Sequence, residues 1–124
     1  MKKILVIEDE GIIRLQLLNV LEANGFNAIG AQDGFTGVQL ATQVVPDLIL
    51  CNVALPRLNG YEVLRELRNE PITANIPFIF LSAQTPHSDL NQGQQLVVDG
   101  YLSKPMTSQE VLQAIDKLLG TDFS

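Results

Sequence analysis

The sequence of 124 residues predicts an α/β fold: a five-stranded parallel sheet with helices on both faces. Three observations lead there. Short apolar runs recur five times, each closed by turn residues, as in strands buried on both faces. Segments with helical spacing and helix-capping residues lie between them. Parallel strands need crossovers, and right-handed crossovers distribute helices over both faces of the sheet. No linker, repeat or low-complexity run interrupts the pattern, so residues 1–124 read as one domain with one core.

Residues 3–7 form the first strand, which ends in Glu8-Asp9-Glu10. A helix follows over 11–24, free of proline, with Gly25 as its stop. Ile13, Leu17 and Leu21 share one face, with Leu18 beside them. Ile12, Leu15 and Val20 lie elsewhere on the wheel. They are expected to be partly covered by loops; the alternative is a contact surface for a partner. Residues 26–31 are a short second strand. Asp33 caps a second helix over 35–44, which Pro46 ends.

The central strand, 48–51, runs four apolar residues straight into Asn52. Cys51 within it reads as a buried, inert thiol. Asn59-Gly60-Tyr61-Glu62 has capping-box spacing and opens a third helix to about 69, with Val63, Leu64 and Leu67 inward. Residues 76–81 form the fourth strand, with Pro77 at its start, and Ser82 follows. Residues 86–98 are a weaker helix, since Gly93 costs about 1 kcal/mol against alanine. Gly100-Tyr101-Leu102-Ser103 is a brief fifth strand. Thr107-Ser108-Gln109-Glu110 is a second capping box. It opens the last helix, with Val111, Leu112, Ile115, Leu118 and Leu119 apolar and Gly120 as its stop.

The net charge of −6 and a pI near 4.5 argue against nucleic-acid binding by the chain itself. One cysteine excludes an internal disulfide. The N-terminal apolar run is too short and too soon acidic for a signal peptide or membrane span, so the cytoplasm is expected.

Function is expected at the carboxyl edge of the sheet, where open α/β sheets bind ligands. Strand 1 delivers Glu8 and Asp9 there, strand 3 Asn52, strand 4 Ser82 and strand 5 Lys104. The two carboxylates of Glu8 and Asp9 and a third oxygen ligand from Asn52 make a hard, oxygen-only metal site of the kind Mg²⁺ prefers. A hydroxyl and an ammonium opposite suit a phosphoryl group.

Taken together, these marks resemble the receiver domain of two-component response regulators. They are Glu8-Asp9, Pro46-Asp47-Leu48-Ile49-Leu50, Leu55-Pro56-Arg57-Leu58-Asn59-Gly60, Leu81-Ser82-Ala83 and Tyr101-Leu102-Ser103-Lys104-Pro105. The resemblance covers nearly the whole chain. It implies a flavodoxin-like (βα)₅ three-layer sandwich, Mg²⁺, and phosphoryl transfer from a histidine kinase or histidine phosphotransfer protein to an aspartate. It also implies roles. Asp9 binds the metal directly, Glu8 binds it through water, and the Ala54 carbonyl completes the protein ligands. Lys104 holds a phosphoryl oxygen. Ser82 and Tyr101 act as the switch pair. The Lys104–Pro105 bond is expected to be cis.

The sequence departs from the family at the phosphoacceptor position itself, where Asn52 stands in place of aspartate. A carboxamide is a poor nucleophile and forms no acyl phosphate by the usual route. Either the chain is an Asp-to-Asn variant locked unphosphorylated, or it is a pseudo-receiver that signals by binding alone. Two carboxylates ~4 Å apart repel by about 4 kcal/mol at an effective dielectric of ~20. Asn52 is therefore expected to stabilise the metal-free fold and weaken Mg²⁺. A second departure is Leu96-Val97-Val98, read as added core packing or an apolar partner surface. His87 is given no role.

The expected activity is that of a stand-alone receiver that is not an enzyme and passes its signal to an effector protein. Monomer and homodimer both stay open. A phosphorylation-independent interaction module is the alternative. Enzyme or cofactor readings fit poorly: Glu8-Asp9-Glu10 repels an FMN phosphate, and Asp9 alone does not make a dehalogenase-type phosphatase.

Overall fold

The computed structural model describes residues 1–83 and 98–120. The helix expected over 86–98 lies almost wholly outside them, as do His87, Leu96 and Val97. The described elements are β1 (Lys3–Ile7), α1 (Gly11–Ala23), β2 (Asn27–Ala31), α2 (Gly34–Val44), β3 (Leu48–Asn52), α3 (Gly60–Arg68), β4 (Phe78–Ser82), β5 (Gly100–Ser103) and α4 (Ser108–Leu119). Among the described residues, no helix is long and apolar enough to cross a membrane.

The strands form one parallel sheet in the order β2-β1-β3-β4-β5. β3 and β4 are buried at every position, and β1 from Ile4 onward. Alternation along the strands feeds two cores. Leu5, Ile7, Ile49, Phe78 and Phe80 pack with Ala41 of α2 and Val63, Leu64 and Leu67 of α3. Ile4, Val6, Leu48, Leu50, Ile79 and Leu81 face Leu17 and Leu21 of α1 and Val111 and Ile115 of α4. This is the expected three-layer sandwich. Val98, at the edge of the described residues, packs on the first core.

The helix starts follow the capping chemistry. Asp33 accepts from Thr36 N at 2.7 Å. Asn59 with Glu62, and Thr107 with Glu110, form complete capping boxes. Gly120 closes α4 with φ of 57°. Two strand starts move, and β3 runs on to include Asn52. β2 begins at Asn27 and β4 at Phe78, one and two residues later than expected.

One expectation fails on α1. Ile12 and Leu15 are 77% and 58% exposed, not covered by loops. The stripe of Leu17 and Leu21 seats the helix on the sheet, so these two side chains are carried to the far side. Val20 alone of the three is half-buried.

Candidate functional site

The carboxyl ends of β1, β3, β4 and β5 lie side by side because the sheet's ladder continues past the strands. Val53 N donates to the Leu81 carbonyl at 3.0 Å, and Lys104 N to the Ser82 carbonyl at 2.8 Å. Residues far apart in the chain thereby meet.

Glu8 is the centre of the cluster. It is fully buried, and a buried charge is costly unless paired and hydrogen-bonded. Its Oε1 accepts from Lys104 Nζ at 2.7 Å. Its Oε2 accepts from Glu10 N at 3.1 Å and from Asn52 Nδ2 at 3.3 Å. Asn52 Nδ2 also donates to Asp9 Oδ1 and to the Ala54 carbonyl, both at 3.1 Å. Glu8, Asp9, Asn52, Ala54 and Lys104 therefore form one hydrogen-bonded group. The Lys104–Pro105 peptide is cis.

Ser82 ends β4, is buried, and pairs in register with Ser103. Tyr101 on β5 is half-buried, and its ring lies 5.6 Å from that of Phe80. Cys51 is buried behind Asn52; burial and then the Glu8 charge push its thiol pKa well up, in keeping with an inert thiol.

Glu8, Asp9 and the Ala54 carbonyl are hard oxygen donors of the type a divalent cation takes. The group in their midst is different: a carboxamide nitrogen, which donates hydrogens and is no ligand. Among the described residues, no three His, Cys, Asp or Glu side chains are grouped to hold a metal ion.

Residues 4–116 match the response regulator receiver domain. The chain belongs to that family. Receivers are the signalling modules of two-component response regulators. The phosphate regulon transcriptional regulatory protein PhoB of Escherichia coli is 34% identical over 118 residues, covering 95% of this chain and 52% of PhoB. Protein PilH of Pseudomonas aeruginosa is 31% identical over 119 residues, covering 96% of this chain and 98% of PilH. The chain spans about half the length of PhoB and of the other transcriptional regulators it matches.

Among solved structures, the receiver domain of a sensor histidine kinase from Pseudomonas aeruginosa PAO1 superposes with a TM-score of 0.89 at 28% identity. The match covers 97% of this chain and 98% of that one, whose active-site cleft coordinates a magnesium ion. Chemotaxis protein CheY4 of Vibrio cholerae, at 24% identity and a TM-score of 0.91, covers 96% of this chain and 99% of its own; it shares the fold.

Several residues that build this receiver's site are not among the strand-end positions that the sequence singles out. Arg14 Nη1 donates to the Glu8 carbonyl at 2.8 Å, tying α1 to the end of β1. Gly60 lies so close to β3 that a Cβ there would sit 2.6 Å from the Asn52 carbonyl oxygen. Arg57, at φ of 71°, reaches back to Asp33 at 3.7 Å and covers the Phe35 ring at 4.9 Å. That contact leans the β3–α3 loop, which carries Ala54, on the start of α2. The Thr36 backbone N–H, then the Thr36 side chain and the Arg57 charge, hold the Asp33 pKa below its usual value against desolvation. Only the Arg14 contact had a usable hint, a basic residue one helical turn beyond an acidic run.

Proposed function

We propose that this chain is the receiver of a two-component phosphorelay held in its unphosphorylated state by Asn52. This is the form that an Asp-to-Asn change at the phosphoacceptor position produces. The observation that carries this reading is the convergence of Glu8, Asp9 and the Ala54 carbonyl on the side chain of residue 52, with Lys104 bonded to Glu8 beside it. With aspartate at 52, a carboxylate oxygen would form the bond to phosphorus as the donor's phosphohistidine N–P bond breaks. Asn52 offers no such nucleophile. Glu8, Asp9 and the Ala54 carbonyl take the Mg²⁺-binding roles, and Asn52 weakens that site by placing a donor among them. Lys104 takes the phosphoryl oxygen, Ser82 closes on it, and Tyr101 follows as the switch.

The input partner is a histidine kinase or a histidine phosphotransfer protein, and the output partner is a protein. The charge of −6 disfavours direct contact with nucleic acid by this chain. Its place is the cytoplasm, where such donors keep their phosphohistidines, and self-association into a homodimer is compatible with the reading.

A second reading has one observation in its favour. The Asn52 side-chain nitrogen donates to Glu8, Asp9 and the Ala54 carbonyl, so the acidic group has a donor in its midst as it stands. In that reading the chain signals by protein contact alone. Mass spectrometry separates the two. This chain and its Asn52→Asp variant are incubated with Mg²⁺ and acetyl phosphate. A phosphoryl mass on the variant alone supports the phosphorelay receiver. No mass on either chain leaves the binding module in its place.

A further inference from the structure

We infer, resting on the receiver reading above, that the Asn52 side-chain nitrogen acts as a built-in substitute for the divalent cation. The acidic pocket is thereby complete, and stable, without metal.

The orientation of the carboxamide is dictated by its neighbours. Nδ2 faces Glu8 Oε2 at 3.3 Å, Asp9 Oδ1 at 3.1 Å and the Ala54 carbonyl at 3.1 Å. Ionised carboxylates and carbonyls only accept. Turned over, the side chain would set its own oxygen against three oxygens, two of them charged. The nitrogen therefore occupies the lone pairs that a cation between Glu8, Asp9 and Ala54 would need. A metal ion entering there must break these bonds and rotate the amide so that its oxygen faces inward.

Charge points the same way. Glu8 and Asp9 bring two negative charges and Lys104 one positive, leaving a formal −1 around an amide. With aspartate at 52 the same group would carry −2, and one lysine would face three carboxylates. Lys104 is already committed to Glu8 at 2.7 Å. The aspartate form needs a cation to hold its carboxylates together; the asparagine form supplies partial positive charge from its own N–H groups. The distinguishing property of this chain is then indifference to Mg²⁺, in stability and in every protein contact made by this end of the sheet.

Thermal melting tests this, with MgCl₂ compared against KCl of equal ionic strength. The chains are this protein, Asn52→Asp, and Asn52→Ala, which removes the donor without adding charge. A ligand that binds only the folded state raises the melting temperature in proportion to its affinity. Millimolar Mg²⁺ is expected to move this chain by less than ~1 °C and Asn52→Asp by several degrees. Without metal, both variants are expected to melt below this chain. Titration calorimetry is expected to show Mg²⁺ binding at least about tenfold weaker here than in Asn52→Asp.

Equal Mg²⁺ stabilisation of this chain and Asn52→Asp overturns the inference, since the metal then displaces the amide freely. So does an Asn52→Ala chain that melts as high as this one without metal. Failure of the receiver reading is seen separately, as an Asn52→Asp variant that gains no phosphoryl mass.

Discussion

The two ends of the sheet use the same residue types to opposite effect. At the amino end, carboxylates stand before β3 and β5. Asp47 Oδ2 accepts from Lys3 N at 2.7 Å, and Asp99 Oδ2 from Phe78 N at 2.7 Å and Arg68 Nη2 at 3.2 Å. Each has its own donors and pins the start of a neighbouring strand. At the carboxyl end, Glu8 and Asp9 share one amide, and Glu8 depends on one lysine. Privately paired charges are architecture. Shared ones make a site, because changing one member alters every other.

Exposure sharpens the contrast. The side chains of Arg68 and Asp99 are 20% and 32% exposed, against 16% and 0% for Lys104 and Glu8. Removing a partner from a buried pair strands a charge, so the largest effect belongs at the carboxyl end. Lys104→Ala is expected to cost about 3–5 kcal/mol in urea unfolding. A loss below ~1 kcal/mol would mean that Glu8 is not held by Lys104, and the two ends would then behave alike.

Arg68→Ala is the matched change at the other end. It removes hydrogen bonds to the Ala74 and Ile76 carbonyls at 3.0 and 2.7 Å as well as the Asp99 contact. Asp99 keeps the Phe78 N–H. The expected cost is about 1–3 kcal/mol. Its decisive feature is independence: the Mg²⁺ response of an Asn52→Asp chain should be unchanged by it. A changed response would show that the amino end also belongs to the site.

Asp33 gives the smallest and most specific effect. It lies beside the functional edge but is privately paired, with Thr36 and Arg57 as donors. Its folded pKa is depressed below the ordinary 3.8. Its contribution is therefore present above that value and lost as pH falls through the lower folded value. Stability followed by urea midpoint should fall on this acid limb, and Asp33→Asn should flatten that part of the profile. An unaltered acid limb would remove Asp33 from the privately paired group.

Much of this was legible beforehand because it is local. Apolar runs such as 48–51 are buried throughout, and both capping boxes close as their spacing requires. Polar residues at strand ends pointed to the functional edge for the same reason: a strand's last residue is readable from the chain. The misses are of another kind. The exposure of Ile12 and Leu15 depends on which face of α1 the sheet takes. The roles of Asp47, Asp99, Arg14 and Arg57 depend on partners that lie on other elements.

From the amino-acid order alone came five strand runs, their capped helices, the acidic, hydroxyl and ammonium groups that follow them, and the carboxamide where an acid was expected. Only the folded sheet decided who meets whom. The order β2-β1-β3-β4-β5 sets the end of β1 against the end of β3, so residues 44 positions apart become hydrogen-bonded neighbours. It also sends Lys104 to Glu8 across a separation of 96. Such pairings have no local signature, because hydrogen bonds and ion pairs act over a few ångströms of space and are blind to distance along the chain.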